Sequence, residues 1–247
     1  MESIGLHFLS MNNFLKIGHR GAKGHLAENT LESIQKALDI GVDAIEIDVH
    51  KCKSGELWVI HDFTLDRTTN GSGEIAKKSA TELEKLKIED KFKIPLLTEV
   101  LDLIQGKCLI NIELKGLNTA APVCEIIKHK IADANWKYSD FIISSFQKNE
   151  LFEVRKNDHH VPIAVLSKAS VPEAIELCKR LKAMAIHPSL GIITRDNTKL
   201  SQAEGFKVNV WTVNEPDAIQ RMIDFGVDGI ISDYPDRLHN PVLNLMP

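Results

Sequence analysis

"KIGHRGAKGHLAENTLESIQKALDIGVDAIEIDV", residues 16–49, decides the fold. It opens on a short apolar run that ends in His19-Arg20, passes a Gly-punctuated turn, and enters a stretch where Leu31, Ile34 and Leu38 fall at helical spacing. Gly41 is a stop signal for that helix, after which "AIEIDV" (44–49) alternates as a strand. Strand, returning helix and second strand make a βαβ unit, the connection that joins parallel strands.

The plan recurs along the chain. Strands are expected at "LINIEL" (109–114), "FIIS" (141–144), "PIAVL" (162–166), "AMAIH" (183–187), "VNVWTV" (208–213) and "DGIIS" (228–232), with helices such as "EPDAIQRMIDFG" between them. Together with "KIGH" (16–19) and "AIEIDV" these make eight strands in 247 residues, which predicts an α/β fold, the (β/α)8 TIM barrel. Residues 51–98 break the alternation: a "KSGE" turn, a returning strand "LWVIHD", a Gly-rich "RTTNGSGEI" loop and a polar helix near "SATELEKLK". They are expected to form a small insertion between barrel strands 2 and 3, lying over one end of the barrel. Residues 1–15 are expected to be a leader, with neither the basic start nor the small-residue cleavage site of a signal peptide. Residues 16–247 then form a single barrel domain.

Composition narrows the function. A formal charge of −4 and a pI near 6.2 give no general positive field, which disfavours a nucleic-acid binder or a polybasic membrane-surface protein. No apolar run approaches the ~20 residues that span a bilayer, so no integral membrane association is expected. Cys52, Cys108, Cys124 and Cys178 lie far apart and are expected as reduced thiols in a cytoplasmic protein.

Residues two apart on a strand share a face. Glu46, Asp48 and His50 therefore point one way from the second strand, and Asn111, Glu113 and Lys115 from the third. Central barrel strands should send hydrophobic side chains there. Buried carboxylates need a cation or a proton, and either a salt-bridge network with Arg20 and Lys115 or a bound metal would satisfy them. The convergence of Glu46, Asp48 and Glu113 favours metal, and an all-oxygen ligand set favours one hard divalent ion, Mg²⁺ or Ca²⁺. His19 and His61 both sit where a strand meets a polar loop, so they are candidates for paired acid and base work. The remaining scattered histidines, such as His7, His25 and His129, read as surface or core residues. Arg20 offers a planar fork for phosphate and Lys115 a point charge. Trp211 reads equally as core packing or as a substrate platform, Trp58 as packing, and Glu28 as part of a helix start capped by Asn29 or Thr30. Metal, Arg, Lys and two His describe a phosphoryl-transfer site.

At these residues the sequence resembles the glycerophosphodiester phosphodiesterase family. The resemblance rests on His19-Arg20-Gly21, Glu28-Asn29-Thr30, Glu46-x-Asp48, His61-Asp62, Arg67-Thr68-Thr69-Asn70-Gly71 and Glu113-x-Lys115, with "SSF" (144–146), "WTVN" (211–214) and "DGIISDYP" (228–235) later. It implies a TIM barrel that hydrolyses small-molecule glycerophosphodiesters to sn-glycerol 3-phosphate and an alcohol. By the same resemblance Glu46, Asp48 and Glu113 hold one divalent ion, and His19 and His61 are the acid–base pair. Arg20 and Lys115 contact phosphate, and Trp211 packs on the glycerol. Direct attack by water and initial attack by the glycerol 2-hydroxyl both remain open, since each needs a base on one side and an acid on the other. The competing expectations are a phospholipase D-like hydrolase acting on lysophospholipids, which the polar insertion disfavours, and a non-catalytic phosphodiester-binding module, which the complete acid–base set disfavours. Nothing in the sequence decides the head group or the oligomeric state.

Overall fold

The first strand, β1 (Leu15–His19), pairs in parallel with strands from two distant parts of the chain, and that double pairing closes the sheet. The computed structural model describes residues 14–133 and 136–239, so most of the expected leader lies outside the described residues. From β1 the chain runs through α1 (Leu31–Ile40), β2 (Ala44–Lys51), β3 (Leu57–Val59), α2 (Ala80–Leu83), β4 (Lys87–Ile88), β5 (Phe92–Lys93) and α3 (Leu97–Ile104). It continues through β6 (Leu109–Leu114), α4 (Ala120–Ala132), β7 (Phe141–Ser145), α5 (Lys148–Asn157), β8 (Ile163–Ser167) and α6 (Val171–Leu181). The last elements are β9 (Ala185–Pro188), α7 (Arg195–Ala203), β10 (Lys207–Val210), α8 (Pro216–Phe225) and β11 (Gly229–Ser232). β1, β2 and β6 to β11 are the eight parallel strands expected, closed by the β11–β1 and β1–β2 pairings into a TIM barrel.

Strand alternation divides the core into two. Ile45, Ile47, Val49, Ile110, Ile112 and Leu114 face outward and pack with the helices in one large apolar cluster. Ile17, Ala44 and Ile231, and separately Ile142, Ala164 and Ala185, form smaller apolar groups of their own. The phase that sends aliphatics to the helices sends Glu46, Asp48, Asn111 and Glu113 inward.

The turn after β1 tolerates almost no side chain. A Cβ on Gly18 would stand 2.4 Å from the Gly21 carbonyl oxygen, and one on Gly21, at φ +83°, would stand 2.6 Å from the Ser33 carbonyl carbon. Glycine at both positions lets the chain double back so that α1 packs against the strand end. Thr30 caps that helix, its Oγ1 accepting from Ser33 N at 3.1 Å. Gly41 ends it in the left-handed region, at φ +83°.

The insertion holds more hydrophobic material than its polar sequence suggests. β3 returns antiparallel against the end of β2, and Cys52, Trp58, Ile60, Leu65, Ile75, Leu83, Ile88, Phe92 and Ile94 form a separate buried cluster. Trp58 is packing, as expected. The polar helix expected near 79–87 is a single turn, α2, where Ser79 and Glu82 form a capping box. α3 begins at Leu97, inside the range expected for the insertion, and serves as the barrel helix that follows β2. β10 leaves its ladder at Val210, earlier than expected, so Trp211 and Val213 follow it as extended chain.

Candidate active site

β1, β2 and β6 end at the same face of the barrel, the face on which TIM-barrel chemistry is built. β2 pairs in register with both neighbours, His19 beside Glu46 on one side and Asp48 beside Glu113 on the other. Among the described residues, one ligand atom from each of Glu46, Asp48 and Glu113 lies within 4.8 Å of the others, and all three side chains are buried.

Two cations face these three carboxylates. Arg20 Nε is 3.3 Å from Asp48 Oδ2, and Lys115 Nζ is 3.0 Å from Glu113 Oε1 and 3.7 Å from Asp48 Oδ1. One carboxyl is left without a cation of its own, and burial with its neighbours' charges picks it out. Burial, then the neighbouring charges of Asp48 and Glu113, push Glu46 well above the usual carboxylate range. Burial and Asp48 raise Glu113 to about 7. Burial alone would raise Asp48 too, but Arg20 and Lys115 outweigh it and hold that carboxyl low. Glu46 Oε1 is buried without a hydrogen-bond partner. An orphaned buried acceptor beside two other converging carboxylates fits a hard divalent cation. The salt-bridge network expected as the competing reading also forms, and it compensates only part of the charge.

Both histidines are held by carboxylates. His19 Nδ1 donates to Asp233 Oδ1 at 2.5 Å, and His61 Nδ1 donates to Asp62 Oδ1 at 2.5 Å. A carboxylate only accepts, so each pair places the ring proton on Nδ1 and leaves Nε2 able to take one. Burial lowers the pKa of both rings, with Asp233 and Asp62 opposing the shift. His19 Nε2 is 3.9 Å from Glu46 Oε2. Both rings line one cavity with Arg20, Glu46, Glu113 and Lys115, so the structure brings the expected polar site residues together. Phe146, Leu166, Trp211 and Ile231 form its apolar wall. Trp211 stands edge-to-face with Phe146 at 5.5 Å and donates from Nε1 to the His187 carbonyl at 2.8 Å.

Several contributors escaped the sequence reading. Thr30, one of the two expected caps, does cap the helix, and Glu28 just before it accepts from Arg20 Nη1 at 2.8 Å and from Arg67 Nη2 at 2.6 Å. Arg67 also grips Asp62, with Nε to Oδ2 at 2.6 Å, so one guanidinium ties the Arg20 partner to the His61 partner. Asn29, at φ +59°, donates from Nδ2 to Asp48 Oδ2 at 2.9 Å. Asn214 holds Asp233, with Nδ2 to Oδ2 at 2.8 Å. Asp62 and Asp233 both lie inside motifs already visible in the sequence, "HD" and "DGIISDYP", without a role that the motifs alone assign.

Comparison with known proteins agrees with this geometry. The family model described as "Glycerophosphoryl diester phosphodiesterase family" matches residues 19–237. A glycerophosphodiester phosphodiesterase of Caldanaerobacter subterraneus subsp. tengcongensis is 38% identical, covering 92% of this chain and 97% of that protein. One of Bacillus subtilis is 30% identical, over 94% and 88%. A solved phosphodiesterase of Oleispira antarctica, in complex with the product sn-glycerol-3-phosphate, superposes with a TM-score of 0.81 at 28% identity, covering 92% of this chain and 95% of that one.

Proposed function

The chain belongs to the glycerophosphoryl diester phosphodiesterase family, and from that premise we propose a metal-dependent hydrolysis of glycerophosphodiesters in which His19 and His61 move the protons. The chain is a glycerophosphodiester phosphodiesterase. The observation that carries the catalytic reading is the pair of carboxylate-held histidines in the cavity that also holds three converging carboxylates.

Glu46, Asp48 and Glu113 would hold one divalent ion, Mg²⁺ or Ca²⁺. Bound there, the ion supplies Lewis-acid charge for the phosphoryl oxygens. The Arg20 guanidinium, braced by Glu28, and the Lys115 ammonium add positive charge on the same side of the cavity. The glycerol moiety rests against Trp211 and Phe146. One histidine accepts a proton from the attacking hydroxyl at Nε2, the other gives a proton to the departing alkoxide, and Asp233 and Asp62 fix both rings for the task. The balanced outcome is a new P–O bond from water, a broken P–O bond to the alcohol, and release of sn-glycerol 3-phosphate.

We take the catalytic unit to be one domain, residues 16–247, with the insertion at about 51–98, following the leader 1–15. Four unpaired cysteines support a reducing, cytoplasmic setting, and no helix among the described residues is long and apolar enough to cross a membrane. A lysophospholipid substrate would need room for an acyl chain beside the glycerol wall. The cavity adjoining Phe146 and Leu166 measures about 180 Å³ and also carries Lys148, Lys168 and Glu173 in its lining, a charged surrounding that favours deacylated diesters over an acyl chain. The test is to incubate purified protein and divalent ion with glycerophosphocholine and identify both products. Choline with sn-glycerol 3-phosphate in equal amounts is expected; phosphocholine with glycerol would contradict the assignment.

A further inference from the structure

Two grooves flank the insertion, and their charge balance differs. The first lies between the turn after β1 and residues 67–92, and its cations are already engaged. Lys23 Nζ is 3.7 Å from Glu28, His25 Nε2 is 2.6 Å from Asp236, Arg67 is bound to Glu28 and Asp62, and Lys91 Nζ sits 4.7 Å from the Phe92 ring centre.

The second groove, about 530 Å³, runs from the end of β2 past the insertion to the loop after β6. Lys51 and Lys53 line it, and among the described residues neither forms an ion pair within 4 Å. Glu74, the groove's acidic residue, is paired with Lys77 at 2.7 Å. Glu82, which senses Lys53 at longer range, is held by Ser79. Phe63 and Leu117 stand 59% and 67% exposed along the groove. This is an open, net-positive channel with apolar edges.

The groove lies next to the residues that line the catalytic cavity. His50 Nε2, in its wall, is 3.1 Å from the His61 carbonyl oxygen; Phe63 follows His61 by two positions, and Gly116 follows Lys115 directly. A Cβ at Gly116 would stand 3.1 Å from His50 Cα, so a side chain there would narrow the groove beside Lys115. His61 is the more open of the two histidines, its side chain 28% exposed against 11% for His19. With glycerol against the Trp211 wall, the alcohol leaves on the open side, past His61.

We propose that this groove receives the leaving alcohol, and that Lys51 and Lys53 select alcohols that carry a negative charge of their own. The inference rests on the phosphodiesterase reading above and names the substrate subclass that reading leaves open. Two uncompensated ammonium groups raise the local concentration of an anionic substrate and repel a cationic one, and the effect weakens as salt screens it. Every diester carries the charge of its phosphate, so the charge on the alcohol is what separates one substrate from another.

The experiment compares kcat/KM of the unmodified protein and a Lys51→Glu/Lys53→Glu variant, with divalent ion present, on three diesters. These are bis(glycerophospho)glycerol, with an anionic leaving group; glycerophosphoglycerol, with a neutral one; and glycerophosphocholine, with a cationic one. The variant is expected to lower the anionic-to-cationic preference about tenfold or more, chiefly through KM, and to lose that difference near 1 M salt. The kcat on the neutral diester should stay within about twofold, which shows that the fold and the catalytic groups are intact. An unchanged preference with all three diesters hydrolysed would overturn the groove assignment and leave the phosphodiesterase reading standing. No hydrolysis of any diester by the unmodified protein would overturn both.

Discussion

In the proposed reaction each histidine acts through the carboxylate on its Nδ1, so replacing that carboxylate by an amide should harm the reaction without touching the fold. An amide can donate to Nδ1 and stabilise the wrong tautomer, the change that costs about 10⁴-fold in a serine protease. Asp233→Asn and Asp62→Asn are expected to lower kcat by roughly 10²-fold or more with melting temperatures little changed, while His19→Ala and His61→Ala cost at least as much. Near-normal turnover in both amide variants would remove the orienting role. A second prediction concerns protons. Glu113, raised to about 7, and Glu46, which burial also raises well above its ordinary value, keep protons in the ion-free folded state that they would lose near 4.5 when unfolded. Their stabilising effect is therefore present below about 4.5 and is lost as pH rises through about 7. Ion binding needs both groups deprotonated, so affinity should tighten over the same interval with proton release, measurable by calorimetry in buffers of different ionisation enthalpy. Affinity independent of pH from about 5.5 to 8 would contradict the ligand assignment.

At the scale of elements, β2 and β6 are the reason that part of the site can be read before the fold is known. Strand period alone puts Glu46, Asp48, Asn111 and Glu113 on one face, and the aliphatic residues between them, Ile47 and Ile112, go to the other. Period says nothing about Asp233, which lies 214 residues from the His19 it holds and arrives only because β11 pairs with β1. Glu28 misleads for a local reason, because a carboxylate just before Thr30 has the form of part of a capped helix start. The insertion's core is equally hidden, since Leu65, Ile75, Leu83 and Ile88 follow neither helical nor strand spacing. The turn between β1 and α1 yields a direct test. Gly21→Ala would put a methyl 2.6 Å from the Ser33 carbonyl at a positive φ, and should destabilise the protein by about 1–3 kcal/mol. It should also lower activity, because Arg20 adjoins that turn with its N–H on Glu46 Oε2 at 3.0 Å. On the helical shell, Glu150 of α5 accepts from the backbone N–H groups of Asn118, Thr119 and Ala120 at 2.6, 3.0 and 2.9 Å, closing the start of α4. Glu150→Ala leaves those donors unpaired and should cost about 2–3 kcal/mol in denaturant unfolding with kcat preserved.

The whole molecule separates stability from chemistry in the way TIM barrels do, with aliphatic contacts between strands and helices and polar groups gathered at one end. The barrel brings Glu46, Asp48 and Glu113 together, and Arg20 and Lys115 compensate them only in part, which leaves the donor set that the proposed divalent ion would use. The same ion would add positive charge beside Arg20 and Lys115 for a phosphodiester anion. The most direct test is to strip the purified protein with chelator and follow choline release from glycerophosphocholine as Mg²⁺ or Ca²⁺ is returned, beside an equilibrium titration of ion binding to the protein and to Glu46→Gln. The account predicts no turnover in chelator, recovery that tracks the binding of one ion per chain, and both properties weakened at least about tenfold in Glu46→Gln. Full turnover in chelator, or unaltered ion affinity in the variant, would contradict it.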